Sequence, residues 1–296
     1  LGLLRRQVRR PLDRTLAVVP AIGRVRSTAL RFFGSRDFRS GMKVERYLGD
    51  GSEFESLREF VAGFDPRALS WRASARHRRL LVRQYRAERN HQVVVALDTG
   101  RLMSEPLAGI PRLDHAVTAA LLLGYSCVRT GDRVGLFSFG GKAEGFTPPA
   151  AGLGAFRTLQ ARSAELEYGT AETNFSLGLG DLQARLHRRS LVVVFTDFAD
   201  SIAAGLMVDN LVRLSARHVV LFVALRDPGV TSLAAARPED IDGLHRAVVA
   251  STLVRDREMV LRRLRRRGVH CIDAPPDLAP VALLNRYLEL KRKEIV

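Results

Sequence analysis

Five short apolar runs, set apart by stretches of helical periodicity, constrain this chain more than any other feature of its 296 residues. The first, 93–97, ends at Asp98; the second, 134–139, is stopped by Gly140 and Gly141. Run 191–195 ends at Thr196 and Asp197, run 219–225 is stopped by Asp227, Pro228 and Gly229, and run 269–272 comes last. Runs 93–97, 191–195 and 219–225 are wholly apolar and rich in β-branched residues, so they read as strands buried on both faces, while 134–139 and 269–272 read as further strands of the same sheet. Between them the apolar spacing predicts helices at 112–129, 152–163, 175–188, 238–267 and 277–292, the fourth ended by Gly268 at the C′ position. Strand and helix in alternation make right-handed crossovers, so the expected fold is α/β with a doubly wound, mostly parallel sheet over 92–296.

Upstream of residue 92 the rhythm is different. Residues 43–91 read as an N-terminal arm of short helical pieces, with Glu53, Phe54, Leu57, Phe60 and Val61 at helical spacing. Trp71 is read there as an anchor packed on the sheet. Residues 1–42 read as a basic lead-in or linker from a missing upstream region, since the chain starts at Leu1 rather than Met. Ten Arg against Asp13 and Asp37 in the first forty residues account for half of the net charge of +16. No apolar run is long enough to cross a bilayer. Cys127 and Cys271 have neither metal-ligand nor disulfide spacing and read as small buried hydrophobes.

In an open α/β sheet, ligands bind beyond the carboxyl ends of the strands. That rule selects Asp98, Ser138, Asp197 and Asp227, together with the segment Gly169 to Asn174 ahead of a helix. Asp98, Thr173 and Asp197 would bring oxygen atoms to one edge, as a hard cation requires. The alternative is that Asp98 and Asp197 cap helices or bond loop amides. Enzyme signatures fail. Gly140-Gly141-Lys142 is out of register for a phosphate loop, with Ala143 where a hydroxyl is needed. Gly124-Tyr125-Ser126-Cys127-Val128 lacks the second glycine of a nucleophile elbow and lies on a predicted helix. The chain is therefore expected not to be an enzyme. The Arg excess keeps a basic nucleic-acid-binding module as the alternative, without a binding motif or interleaved aromatics to support it.

The order strand–Asp98, Thr173 before a helix, strand–Asp197 resembles the von Willebrand factor A fold and its metal-ion-dependent adhesion site. The stretch Gly51-Ser52-Glu53-Phe54-Glu55-Ser56-Leu57-Arg58-Glu59-Phe60, then Gly63, Asp65, Arg67, Trp71 and Arg76, resembles the bacterial domain of unknown function family fifty-eight, as does the tail with Asn285-Arg286-Tyr287-Leu288. The resemblance implies a protein-interaction domain, an adaptor or co-chaperone of a MoxR-type AAA+ ATPase. It implies a cytoplasmic location, at the inner face of the membrane for a longer chain anchored upstream. It also implies a metal loop of the form Asp-x-Ser-x-Ser. Here Gly100 and Leu102 replace the serines, so the expected site is degenerate, with no cofactor or weakly bound Mg²⁺. Restoring serine at both positions is expected to strengthen metal binding. The loop after Asp98 makes Arg101 and Met103 the candidate partner contacts.

Overall fold

The structure is a computed structural model that describes residues 48–61, 69–86, 91–198, 201–238 and 240–293. The basic lead-in of residues 1–42 lies outside the described residues.

The central sheet has six strands: β3 (Gln92–Asp98), β6 (Arg133–Phe139), β7 (Ala143–Ala150), β8 (Leu191–Phe195), β9 (Val219–Leu225) and β10 (His270–Ala274). Their spatial order is β10-β9-β8-β3-β6-β7, and two short strands, β4 (Pro106–Leu107) and β5 (Ile110–Pro111), pair with each other outside this sheet. All neighbours are parallel except β7, which returns antiparallel beside β6 as an edge strand. The apolar runs become strands because both faces are covered. Val93, Val95 and Leu97 point to one core, with α3 (Arg112–Arg129), α4 (Gly152–Ala164) and α9 (Ala279–Arg292) packed over it. Val94 and Ala96 point to the other, under α5 (Phe175–Arg185), α6 (Ser201–Ser215) and the C-terminal half of α8 (Ile241–Arg266). The doubly wound, mostly parallel α/β architecture is thus present.

Gly268 ends α8 as expected, at φ +84°, with its amide bonded to the Arg265 carbonyl and the Val269 amide to Leu264. Asn174 and Asp240 cap α5 and α8 by accepting from Leu177 N and Gly243 N. Asp227 caps the short helix α7 (Pro228–Ala235).

Four features differ from expectation. The segment expected as short helical pieces contains β1 (Leu48–Glu59), paired antiparallel with β2 (Leu81–Arg86). A register shift between Phe54 and Ser56 explains the helix-like spacing: a bulge inserts one residue, so the period of two slips locally to three. Among the described residues of that segment, the helix is α1 (Trp71–His77). Trp71 is not packed on the sheet but 70% exposed on the first turn of α1. Strand β7 and helix α6 had no counterpart in the sequence reading. Finally, Cys127 is buried as expected while Cys271 is only partly so.

At the end of the sheet remote from the carboxyl edge, Asp132 is completely buried. Its Oδ1 accepts from His91 N (3.1 Å), and its Oδ2 accepts from Lys291 Nζ (2.7 Å) and the Tyr287 hydroxyl. One carboxylate thereby fixes the entry to β3, the start of β6 and the last helix. No described helix is long and apolar enough to cross a membrane.

Candidate functional site at the carboxyl edge of the sheet

Strands β3 and β8 are neighbours, so Asp98 and the Thr196-Asp197 pair leave the sheet side by side. The loop after β3 starts with α2 (Arg101–Ser104) and is zipped to the segment before α5. Gly169 N donates to Thr99 O (2.8 Å), Arg101 N to Ala171 O (2.9 Å) and Ser104 Oγ to Gly169 O (2.8 Å). That zipper delivers Thr173 to Asp98. The Thr173 hydroxyl donates to Asp98 Oδ1 at 2.7 Å, Gly100 N donates to the same oxygen at 2.8 Å, and the Thr196 hydroxyl donates to Oδ2.

Asp98 is 1% exposed. Burial raises its pKa from the ordinary 3.8 to about 6, with Glu144 adding to the rise while the hydrogen bonds from Thr196, Thr173 and Gly100 oppose it. Glu144 is bridged to this corner by the Thr99 hydroxyl, which lies 2.9 Å from Oε2. A carboxyl whose folded pKa is raised gives stability that is complete below its unfolded pKa and lost as pH rises through the folded one. At about 1.4 kcal/mol per pH unit, the cost of ionising Asp98 in place reaches about 3 kcal/mol. Urea unfolding between pH 4 and pH 8 should therefore show Asp98→Asn gaining on the wild type as pH rises, and levelling above about pH 7. A difference that stays flat across this range would show that Asp98 ionises in place without cost.

Asp197 does not join this cluster. Its Oδ1 is 2.7 Å from Arg257 Nη1, its Oδ2 is 3.4 Å from Arg112 Nε, and Phe198 N donates to Oδ1. Arg257 also binds Asp273 through Nε (3.1 Å) and the Leu225 carbonyl through Nη2 (3.1 Å), with the Phe198 ring 5.7 Å from its Cζ. Of the three residues expected together, Asp98 and Thr173 meet, and Asp197 is taken by two guanidinium groups. Both Asp98 and Asp197 bond loop amides, as the alternative reading had it.

At position 100 geometry opposes the expected serine repair. A Cβ at residue 100 would lie 2.1 Å from Thr173 Oγ1 and 3.1 Å from Asp98 Oδ1. A side chain at 100 would thus drive Thr173 off Asp98 instead of adding a ligand beside it. With both Asp98 oxygens engaged by protein donors and Asp197 by cations, the site as arranged does not fit a hard divalent ion. Among the described residues no group of three His, Cys, Asp or Glu side chains is placed to hold a metal.

The candidate partner contacts also divide. Arg101 is exposed and paired with Glu105 (3.2 Å) and Glu172 (3.8 Å). Met103 is 2% exposed and belongs to the core cluster with Leu107 and Leu113. The single turn of α2 rotates it inward, so it offers no surface.

A cavity of about 630 Å³ opens beside the ion-pair cluster. Leu102, Phe198, Leu225, Leu253 and Val254 form much of its apolar wall, and Arg112, Arg257 and Asp273 its polar floor. Sequence reasoning missed Arg112, Arg257, Asp273 and Glu144. A signal for Arg257 existed: it interrupts the stripe Ala250, Val254, Leu261, Leu264 at helical spacing, where a charge needs a buried partner.

Residues 56–242 match the family described as Protein of unknown function DUF58. The chain belongs to this family. Uncharacterized proteins of Mycobacterium tuberculosis (strain H37Rv) and Mycobacterium bovis are 26% identical over 182 residues, 61% of this chain. The match spans about 56% of the length of those relatives. The fold is also similar to the conserved hypothetical protein BatB from Bacteroides thetaiotaomicron, at 14% identity and a TM-score of 0.44 over 69% of this chain and 100% of that one. An aerotolerance-related membrane protein from Bacteroides fragilis is similar at 17% identity and a TM-score of 0.43, over 66% and 98% of the two chains. At that degree of similarity the likeness says nothing about ligands or partners.

Proposed function

We propose that this protein is a non-enzymatic interaction domain that engages a protein partner through the carboxyl edge of its sheet, and that the partner is a MoxR-type AAA+ ATPase. The observation that carries the reading is the 630 Å³ cavity where β8, β9 and the loop after β3 end. Its volume suits the insertion of partner side chains, and it combines an apolar wall with convergent charged groups. The loop elements around it are held by the zipper between residues 99–104 and 169–173, so the surface is preorganised. The identity of the ATPase rests on the family resemblance. In such a pair the hydrolytic chemistry belongs to the ATPase.

Arg101 stands at the rim of that cavity. Its ion pairs are solvent-exposed and contribute little to folding. Replacing Arg101 by Glu is therefore expected to weaken capture of a MoxR-type ATPase, with an unchanged melting temperature. Capture from purified components, with and without 0.5 M salt, measures this. Equal capture by wild type and variant moves the interface away from this edge; no capture by the wild type removes the ATPase as partner.

A further inference from the structure

Arg257 makes an arrangement that no other described residue of this edge repeats. Its three donor nitrogens read three oxygens from three different strands or strand ends: Asp197 Oδ1 after β8, the Leu225 carbonyl at the end of β9, and Asp273 Oδ1 on β10. Two carboxylates and a backbone carbonyl are hard oxygen donors of the kind that hold Mg²⁺, Mn²⁺ or Ca²⁺. Converging on one centre in a partly desolvated site, two carboxylates repel unless a positive charge stands between them. The side chains of Arg257 and Asp197 are 19% and 10% exposed, so bulk water supplies little of that compensation. Arg112 and Arg226 stand outside the cradle, on the far oxygens of Asp197 (3.4 Å) and Asp273 (3.8 Å), and Arg257 is the guanidinium between the two carboxylates.

We propose that the Arg257 guanidinium is a tethered cation: it fills an oxygen cradle built by Asp197, Asp273 and the Leu225 carbonyl, and so makes this edge independent of dissolved divalent metal. An arginine keeps its charge at any physiological pH and cannot be removed by a chelator. Its planar fork also fixes the relative positions of β8, β9 and β10, as a coordinated ion would. The neighbouring half of the edge, where Thr173, Thr196 and the Gly100 amide close on Asp98, needs no ion either. None of this depends on which partner binds.

Mn²⁺ is the probe, used with the full chain. Electron paramagnetic resonance reports immobilised Mn²⁺, and thermal unfolding in EDTA, Mg²⁺ or Mn²⁺ reports its coupling to the fold. The wild type is expected to give the same melting temperature in all three and to immobilise no Mn²⁺. Arg257→Gln keeps much of the side-chain volume, removes the charge and empties the cradle. That variant should immobilise Mn²⁺ and gain several degrees in melting temperature from it, and adding Asp197→Asn should abolish both effects. Should Arg257→Gln fail to fold in EDTA, Mn²⁺ must restore folding. Two results would overturn the proposal: wild-type protein that binds Mn²⁺ and loses it on Asp98→Asn, or an Arg257→Gln chain indifferent to Mn²⁺ whether folded or not.

Discussion

Asp132→Ala should lower the stability of this protein by about 3–5 kcal/mol, the largest effect expected of any single change described above. The carboxylate has no exposure, and Lys291 Nζ, Tyr287 Oη and His91 N all converge on it. Its removal strands a lysine whose charged end reaches into this site and, among the described residues, keeps only the Thr130 carbonyl at 3.1 Å and the face of the Tyr287 ring, 5.9 Å from Nζ. Losing one partner of a buried pair costs far more than the pair contributes net, because the desolvation of the survivor is no longer offset. At roughly 2–4 °C per kcal/mol for a chain of this size, the melting temperature should fall by about 10 °C. Asp132→Asn should cost less, since an amide oxygen still accepts from His91 N. Circular dichroism is the proper reporter, because the only tryptophan, Trp71, is exposed and far from sensing the core. A loss below about 1 kcal/mol for the alanine variant would mean that water replaces the carboxylate and that the pair is not a fastener.

Gly135→Ala should also be strongly damaging, at about 2–3 kcal/mol. Gly135 lies in β6 opposite an irregularity in β7, where Val134 faces Ala150 but Leu136 faces Thr147. A Cβ there would meet Thr147 O at 2.6 Å, Pro149 N at 2.9 Å and Pro148 C at 3.1 Å. All three are backbone atoms, so no side chain can rotate out of the way and β7 itself must move. Displacing β7 uncovers β6, whose apolar residues and free ladder groups then form an unprotected edge. The two prolines presently blunt that side of the sheet, since neither has an N–H to offer a further strand. The variant should therefore show a lower urea midpoint and concentration-dependent aggregation on heating. Wild-type stability with no added aggregation would show that β7 slides without cost.

How much of this was legible in the sequence depends on the range of the interaction. The five expected strands and most of the helices are local facts: an apolar run such as 93–97 or 191–195 has few other ways to bury itself, and Gly268 ends a helix wherever it falls after one. The bulged hairpin hid behind a helix-like spacing at Phe54 and Leu57, and β7, with Pro148 and Pro149, gives no strand signal because prolines weaken it. An edge strand tolerates them, but only the sheet shows which strand is the edge.

The same division runs through the site. Sequence by itself placed Asp98, Thr173 and Asp197 at the carboxyl edge, because strand ends and connection handedness leave little freedom in a parallel sheet. It also gave the two missing serines and, through its long patterns, the family. Only tertiary structure decided what those carboxylates do. Asp98 is closed over by Thr173 and Thr196, Met103 turns into the core, and Arg257, sixty residues beyond Asp197, reaches back to hold it. The physical reason is that a carboxylate's role is set by whichever cation or donor reaches it first in space. Here those donors come from a loop and a helix that nothing in the local sequence ties to the strand end.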